Sequence, residues 1–177
     1  MFLEFLGHVE ALLWFSMQLV WLLLVITAGN QMGYFPWWKV PVSVRYLGPN
    51  KTRDAYIAGP LFAACASTLL WDIEPMLSAH FGVNTFWDAL RVGAVVGLGV
   101  VLGDHGNSRL KRIRRITVGD SWLLDRIDWA IGGGMAAYFF VPNVELVHVV
   151  ALIDIAAPLH VYFNRNSYKR GWRKTEH

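Results

Sequence analysis

Between Trp14 and Gly29 the chain reads WFSMQLVWLLLVITAG, sixteen residues without a charge. A helix crosses the hydrocarbon of a bilayer in about 20 mostly apolar residues, and it satisfies its own backbone while doing so. The run therefore predicts a membrane span over Val9–Asn30. No basic stretch precedes it and no small-x-small cleavage pattern follows, so a retained span is expected rather than a cleaved signal. Similar runs predict spans at Ala55–Trp71, Phe86–Gly103 and Val144–Asn164. A further one, Ile127–Val141, is short alone but lengthens if its helix begins at Ser121 and carries Asp125, Arg126 and Asp128 in its first turns. The expectation is an all-α membrane protein of about five transmembrane helices.

Composition agrees. Of 177 residues, 55% are hydrophobic and 14% aromatic, while 16% are charged, against roughly 25% in an ordinary soluble domain. This excludes a disordered chain, and a soluble domain of this size lacks the interior to hide so much apolar surface. The length suits a single integral-membrane domain, 1–177. One cysteine, Cys65, leaves no internal disulfide framework and no multi-cysteine zinc site.

The placement of positive charge gives an orientation. Residues 1–38 contain no Lys or Arg. The first connection holds Lys39, Arg45, Lys51 and Arg53, the third holds six bases from Arg109 to Arg126, and the segment after Asn164 holds five. Of the sixteen Lys and Arg, all but Arg91 fall on alternate connections. Positive charge marks the cytoplasmic side, which puts the N-terminus outside and the C-terminus in the cytoplasm, with an odd number of crossings. Gly93, Gly97, Gly99 and Gly103, with Gly132, Gly133 and Gly134, are small residues that let helices approach closely in lipid.

A plain anchor does not need the polar chemistry of residues 102–129, LGDHGNSRLKRIRRITVGDSWLLDRIDW. If Asp104–Arg115 is helical, then Asp104, Ser108, Lys111 and Arg115 share a face. Asp125 and Asp128 share another, at the start of the fourth span. Carboxylates at two helix ends on one membrane surface, with Lys111, Arg112 and Arg114 between them, suit a nucleoside triphosphate: oxygen ligands hold Mg²⁺ and the bases neutralise phosphate. Arg114 and Arg115 are equally explained by contact with anionic lipid. The turn GPNKTRDAYIAG, residues 48–59, presents Lys51 and Thr52 at a helix start, where an anion is welcome. It is not a Walker A loop. His160 and Asn164 lie one turn apart near the cytoplasmic end of the last span. Helix-packing hydrogen bonds are their ordinary role.

The pattern GD-x3-S-x2-KR at residues 103–112, followed by LDRID at 124–128, resembles the signature of the phosphatidate cytidylyltransferases. The five-span layout, Asn30, the G-x2-KT of Gly48–Thr52 and the closing P-x-H-x3-N-x3-YK of Pro158–Lys169 resemble more narrowly the CDP-archaeol synthase family. The likeness runs from about Asn30 to Lys174. It implies transfer of CMP from CTP to an archaeal ether-lipid phosphate, 2,3-bis-O-geranylgeranyl-sn-glycerol 1-phosphate, with Mg²⁺ and release of pyrophosphate. By the same likeness Asp104, Asp125 and Asp128 hold the metal and, with Lys111, form the catalytic group. Lys51, Thr52, Ser108, Lys111 and Arg112 contact the triphosphate or the lipid phosphate, and His160 and Asn164 belong to the cytoplasmic face of the pocket. The chain departs from the family at Arg53-Asp54-Ala55, where Trp-Arg-Gly is usual, and in the abbreviated loop PVSVRYLG. Those departures bear on lipid choice and nucleotide contacts.

The chemistry also follows from the residues. A lipid phosphate is already an anionic oxygen nucleophile, so no Ser, Cys or His nucleophile is needed. The barrier lies in bringing two polyanions together, which positioning and electrostatic stabilisation lower. A phosphatidate cytidylyltransferase making CDP-diacylglycerol is the alternative within this class. A CDP-alcohol phosphotransferase fails on spacing, since Asp104 is followed by His105 and the last acids are Asp125-x2-Asp128. In another class stands a non-catalytic membrane protein or small transporter, for which Asp154 inside the last span speaks. The expected partners are CTP and a lipid phosphate in the cell membrane, with the active site facing the cytoplasm. No nucleic acid is expected, and the oligomeric state is open.

Overall fold

The architecture comes from a computed structural model that describes residues 2–30, 40–48, 51–116 and 123–170. Its elements are α1 (Phe2–Asn30), α2 (Ala55–Ile73), α3 (Pro75–His80), α4 (Phe86–Ile113), a 3₁₀ turn at Leu123–Arg126, α5 (Asp128–Phe140) and α6 (Leu146–Lys169). Among the described residues the only β pairing is an isolated antiparallel bridge between Pro41 and Thr52. The all-helical expectation holds.

Among the described residues, four helices are long and apolar enough to cross a membrane: α1 from Leu6, α2, α4, and α6 as far as Phe163. The fourth predicted span takes a different form. Ser121 lies outside the described residues, and in place of one helix Leu123–Arg126 form a 3₁₀ turn. At Ile127 the backbone sits at φ −130°, and α5 begins only at Asp128 and runs for 13 residues. The helical rise of 1.5 Å per residue makes α5 about 20 Å long. The acids Asp125 and Asp128 thus fall on either side of a break. The short helix α3, between α2 and α4, was not foreseen. Pro75 at its first position and Gly82 in the left-handed region just beyond its end (φ 68°) account for its limits.

α4 is the most enclosed of the long helices and packs chiefly on α2 and α5. Its start is fixed by a capping box, in which Thr85 Oγ1 accepts from the Asp88 N–H and Asp88 accepts from the Thr85 N–H. Its end comes two residues earlier than expected. Arg114 closes the helix and Arg115 takes φ 58°. The Arg115 N–H donates to the Arg112 carbonyl at 3.1 Å and the Ile116 N–H to that of Lys111 at 2.9 Å. This is a Schellman ending with arginine where glycine is usual.

Small residues set the helix spacing. A methyl group at Gly97 would overlap the Gly59 carbonyl of α2 and come within 2.7 Å of Pro60 Cα. At Gly103 it would overlap the Asp128 carbonyl and approach Gly132 Cα of α5 to 2.9 Å. Backbone therefore lies against backbone along both sides of α4. Trp21, Leu22, Val25 and Ile26 of α1 close the core, with Trp21 against Phe81 at 5.0 Å between ring centroids. Outward faces carry large apolar side chains such as Leu12, Leu13, Ile57, Leu69, Phe139, Phe140 and Val150. So much exposed apolar surface is what a lipid-facing rim requires.

Candidate active site

The contact of Gly103 with the Asp128 backbone brings the start of one motif to the end of the other: Asp104 follows the glycine on α4, and Asp128 opens α5. Asn107, one turn on from Asp104, donates through Nδ2 to Asp125 Oδ1 and to Asp128 Oδ2, both at 2.7 Å. The second oxygen of Asp128 accepts from the Trp129 N–H at 2.7 Å. Asp128 is buried and precedes the apolar run of α5. Burial, and after it the negative charge of Asp104, pushes its carboxyl up to about 6, against the bonds from Asn107 and Trp129.

Each of the other two acids meets a lysine. Lys111, a further turn along α4, lies 2.8 Å from Asp125 Oδ2. Lys51 reaches both oxygens of Asp104 at 2.5 Å. It is delivered by a folded loop. The Val42 N–H donates to the Lys51 carbonyl and the Arg53 N–H to the Val40 carbonyl, after a turn that places Gly48 at φ 93°. Both members of the Lys51–Asp104 pair are about three-quarters covered, with side-chain exposures of 22% and 23%. Such a pair is screened less than an ion pair on an open surface.

The structure therefore pairs Lys51 with Asp104 and links Lys111, Asp125 and Asp128 in a second group through Asn107, with Gly103, next to Asp104, packed on the Asp128 backbone. Ser108 is buried on α4 beside Asn107, and Thr52 is half-buried at the bridge to Pro41. Arg112 turns back on its own helix end and donates through Nη1 to the Ile116 carbonyl at 2.9 Å. His160 is half-buried on α6, and the side chain of Asn164 is outside the described residues. Arg115, expected on the face of Asp104, lies beyond the helix. Asp154 is exposed on α6.

Two residues escaped the sequence reading. Asn107 was legible in principle, because D-x-x-N-x-x-x-K puts it on the face of Asp104 and Lys111. Attention to charged groups passed over an amide. His105 is 4% exposed, takes the Val101 carbonyl at Nδ1 at 2.8 Å and lies against Tyr56 with ring centroids 5.0 Å apart. Nothing in its spacing signalled that.

Three carboxylates supply hard oxygen donors of the kind Mg²⁺ takes, and a buried acceptor, Asn107 Oδ1, has no hydrogen-bond partner among the described residues. The donor chemistry fits the ion. The protein alone does not enclose it: among the described residues no three His, Cys, Asp or Glu side chains are grouped to hold an ion by themselves. An ion here would keep positions for water and substrate oxygens, as Mg²⁺ commonly does.

No family model and no solved structure matches the chain. Two curated relatives do. A CDP-archaeol synthase of Haloarcula marismortui is 30% identical over 123 residues, covering 64% of this chain and 68% of its own. A CDP-archaeol synthase of Thermofilum pendens is 30% identical over 132 residues, covering 72% of this chain and 57% of its own. With a relative 30% identical and matched over two thirds of its length, the chain belongs to the CDP-archaeol synthase family.

Proposed function

We propose that the protein transfers the cytidylyl group of CTP to a membrane lipid phosphate, giving a CDP-lipid and pyrophosphate. An oxygen of the lipid phosphate attacks the α-phosphorus of CTP. The new P–O bond forms as the bond to the β-phosphate oxygen breaks, and the electron pair leaves with pyrophosphate. No general base is required, because the attacking oxygen is already ionised. The observation that supports this reading is that the Lys51–Asp104 pair, and Asp125 and Asp128 bridged by Asn107 with Lys111 on Asp125, lie at the shared end of α4 and α5.

Asp104, Asp125 and Asp128 would hold Mg²⁺, which when bound supplies charge neutralisation of the triphosphate and of the departing pyrophosphate. Lys51 and Lys111 bring ammonium groups to the same place, with Thr52, Ser108 and Arg112 near the phosphates and His160 and Asn164 on the outer rim. The lipid is an archaeal ether phosphate of the geranylgeranyl glycerol type, and the active site faces the cytoplasm of the cell membrane. The basic connections at Arg45–Arg53 and Arg109–Arg126 support that side. With the apolar stretch Trp129–Val141 as a short fifth crossing, the N-terminus lies outside and the C-terminus in the cytoplasm.

The test is direct. Purified protein given CTP, Mg²⁺ and 2,3-bis-O-geranylgeranyl-sn-glycerol 1-phosphate releases pyrophosphate, and Asp128→Asn does not while keeping its helical circular dichroism. A wild type that turns over no lipid phosphate sinks the proposal. Faster turnover of dioleoyl phosphatidic acid moves the assignment to CDP-diacylglycerol synthesis.

A further inference from the structure

We infer that Asn107 is a positioning residue of the cation site and contributes the side-chain oxygen that completes it. This rests on Asp104, Asp125 and Asp128 being the cation-holding acids. A carboxamide offers two N–H donors and one oxygen acceptor. Asn107 commits both donors to carboxylates, at 2.7 Å to Asp125 and 2.7 Å to Asp128. Two bonds of 2.7 Å to one nitrogen keep those oxygens within 5.4 Å of each other. Asn107 is 5% exposed, and its Oδ1 is buried with no hydrogen-bond partner among the described residues. An acceptor stripped of water and left unpaired is unfavourable unless a ligand satisfies it. The orientation is dictated, because turning the amide over would set its oxygen against two carboxylate oxygens.

The backbone explains why such a residue is needed. Asp125 stands in a 3₁₀ turn and Asp128 in the first turn of α5, with the break at Ile127 between them. No continuous helix fixes one acid relative to the other. Asn107, on the long and enclosed α4, does so from outside. Its free oxygen belongs to the same planar group that grips both acids, so it is placed beside any cation they hold. Asparagine is not a residue type that reveals itself among acids and histidines, yet its carbonyl is an ordinary hard ligand.

The experiment measures Mn²⁺ binding to the full chain in detergent by electron paramagnetic resonance, without nucleotide. It then follows the Mg²⁺ dependence of pyrophosphate release. Asn107→Leu keeps the volume and removes both functions, whereas Asn107→Asp keeps an oxygen and loses the donors. Asn107→Leu is expected to weaken Mn²⁺ binding roughly 10- to 100-fold, with pyrophosphate release restored by excess Mg²⁺. Asn107→Asp is expected to bind Mn²⁺ between that variant and the wild type, or above it, and it decides the matter if the leucine variant does not fold. Mn²⁺ binding by Asn107→Leu indistinguishable from wild type overturns the inference. So does lost activity that Mg²⁺ does not restore, or an aspartate variant no better than the leucine. If the wild type releases pyrophosphate and these variants behave like it, the transferase reading survives and the role of Asn107 does not. A wild type without turnover condemns the transferase reading itself.

Discussion

At the scale of single residues, two of the three acids pair with lysines, Asp104 with Lys51 and Asp125 with Lys111, while Asp128 is held by Asn107 and the Trp129 N–H. Lys51→Met and Asp104→Asn, measured singly and together, should show a coupling of about 0.5–3 kcal/mol in thermal or denaturant stability, the range for residues in direct contact. Purely additive losses would mean that the pair adds nothing to the fold. Asp104 and Lys111 share a face of α4 as their spacing predicts, whereas Asp125 and Asp128 flank the break at Ile127 and Lys51 lies in a loop. The pairing of Lys51 with Asp104 was not legible in the sequence, since 53 residues separate them and only the folded loop at 40–53 brings them together. Asn107 was hidden for another reason: its importance lies in what it bonds, and a neutral amide gives no charge pattern to read.

At the scale of elements, α4 carries the argument. Gly103 and Gly132 face each other where α4 crosses α5, and an added methyl at either meets backbone that has no room to yield. Gly103→Ala or Gly132→Ala should destabilise by about 1–3 kcal/mol, as overpacking does, and should lower pyrophosphate release by moving Asp128 away from Asp104. Gly106 is the internal control. It sits in the same helix, where a methyl would touch nothing within 4 Å. Gly106→Ala should therefore gain about 0.5–1 kcal/mol from reduced backbone freedom; a loss of stability there would show that the helix is not formed as described. Arg115→Gly relieves a left-handed arginine at the end of α4 and should raise the melting temperature, since that conformation costs a residue with a side chain roughly 1–2 kcal/mol. The long helices were legible from their apolar runs. The break at Ile127 was not, because LDRIDW has no glycine or proline to announce it, and propensity alone allows a continuous helix.

At the scale of the whole molecule, four of the described helices are long and apolar enough for a bilayer, and one of them, α4, packs backbone to backbone on α2 and α5. The proposed orientation makes a concrete forecast. With Cys65 replaced by Ser, a cysteine at Arg45 or Arg114 should react with a membrane-impermeant maleimide only from the cytoplasmic side. A cysteine at Asn143, in the turn between α5 and α6, should react only from outside. Labelling of both sets from one side would reverse or break the topology. The forecast comes from the charge distribution, which acts over whole connections, whereas the length of α5 depends on a local backbone choice that charge does not control.

The tight contacts along α4 also bear on how a chain of this kind can change over time. Where two main chains touch, even the smallest addition is excluded, so α2, α4 and α5 act as a chassis that tolerates almost no drift. The outward sides of α1 and α6 are under no such restriction. Substitutions on those outer sides can therefore accumulate without disturbing the contacts that set where α2, α4 and α5 lie.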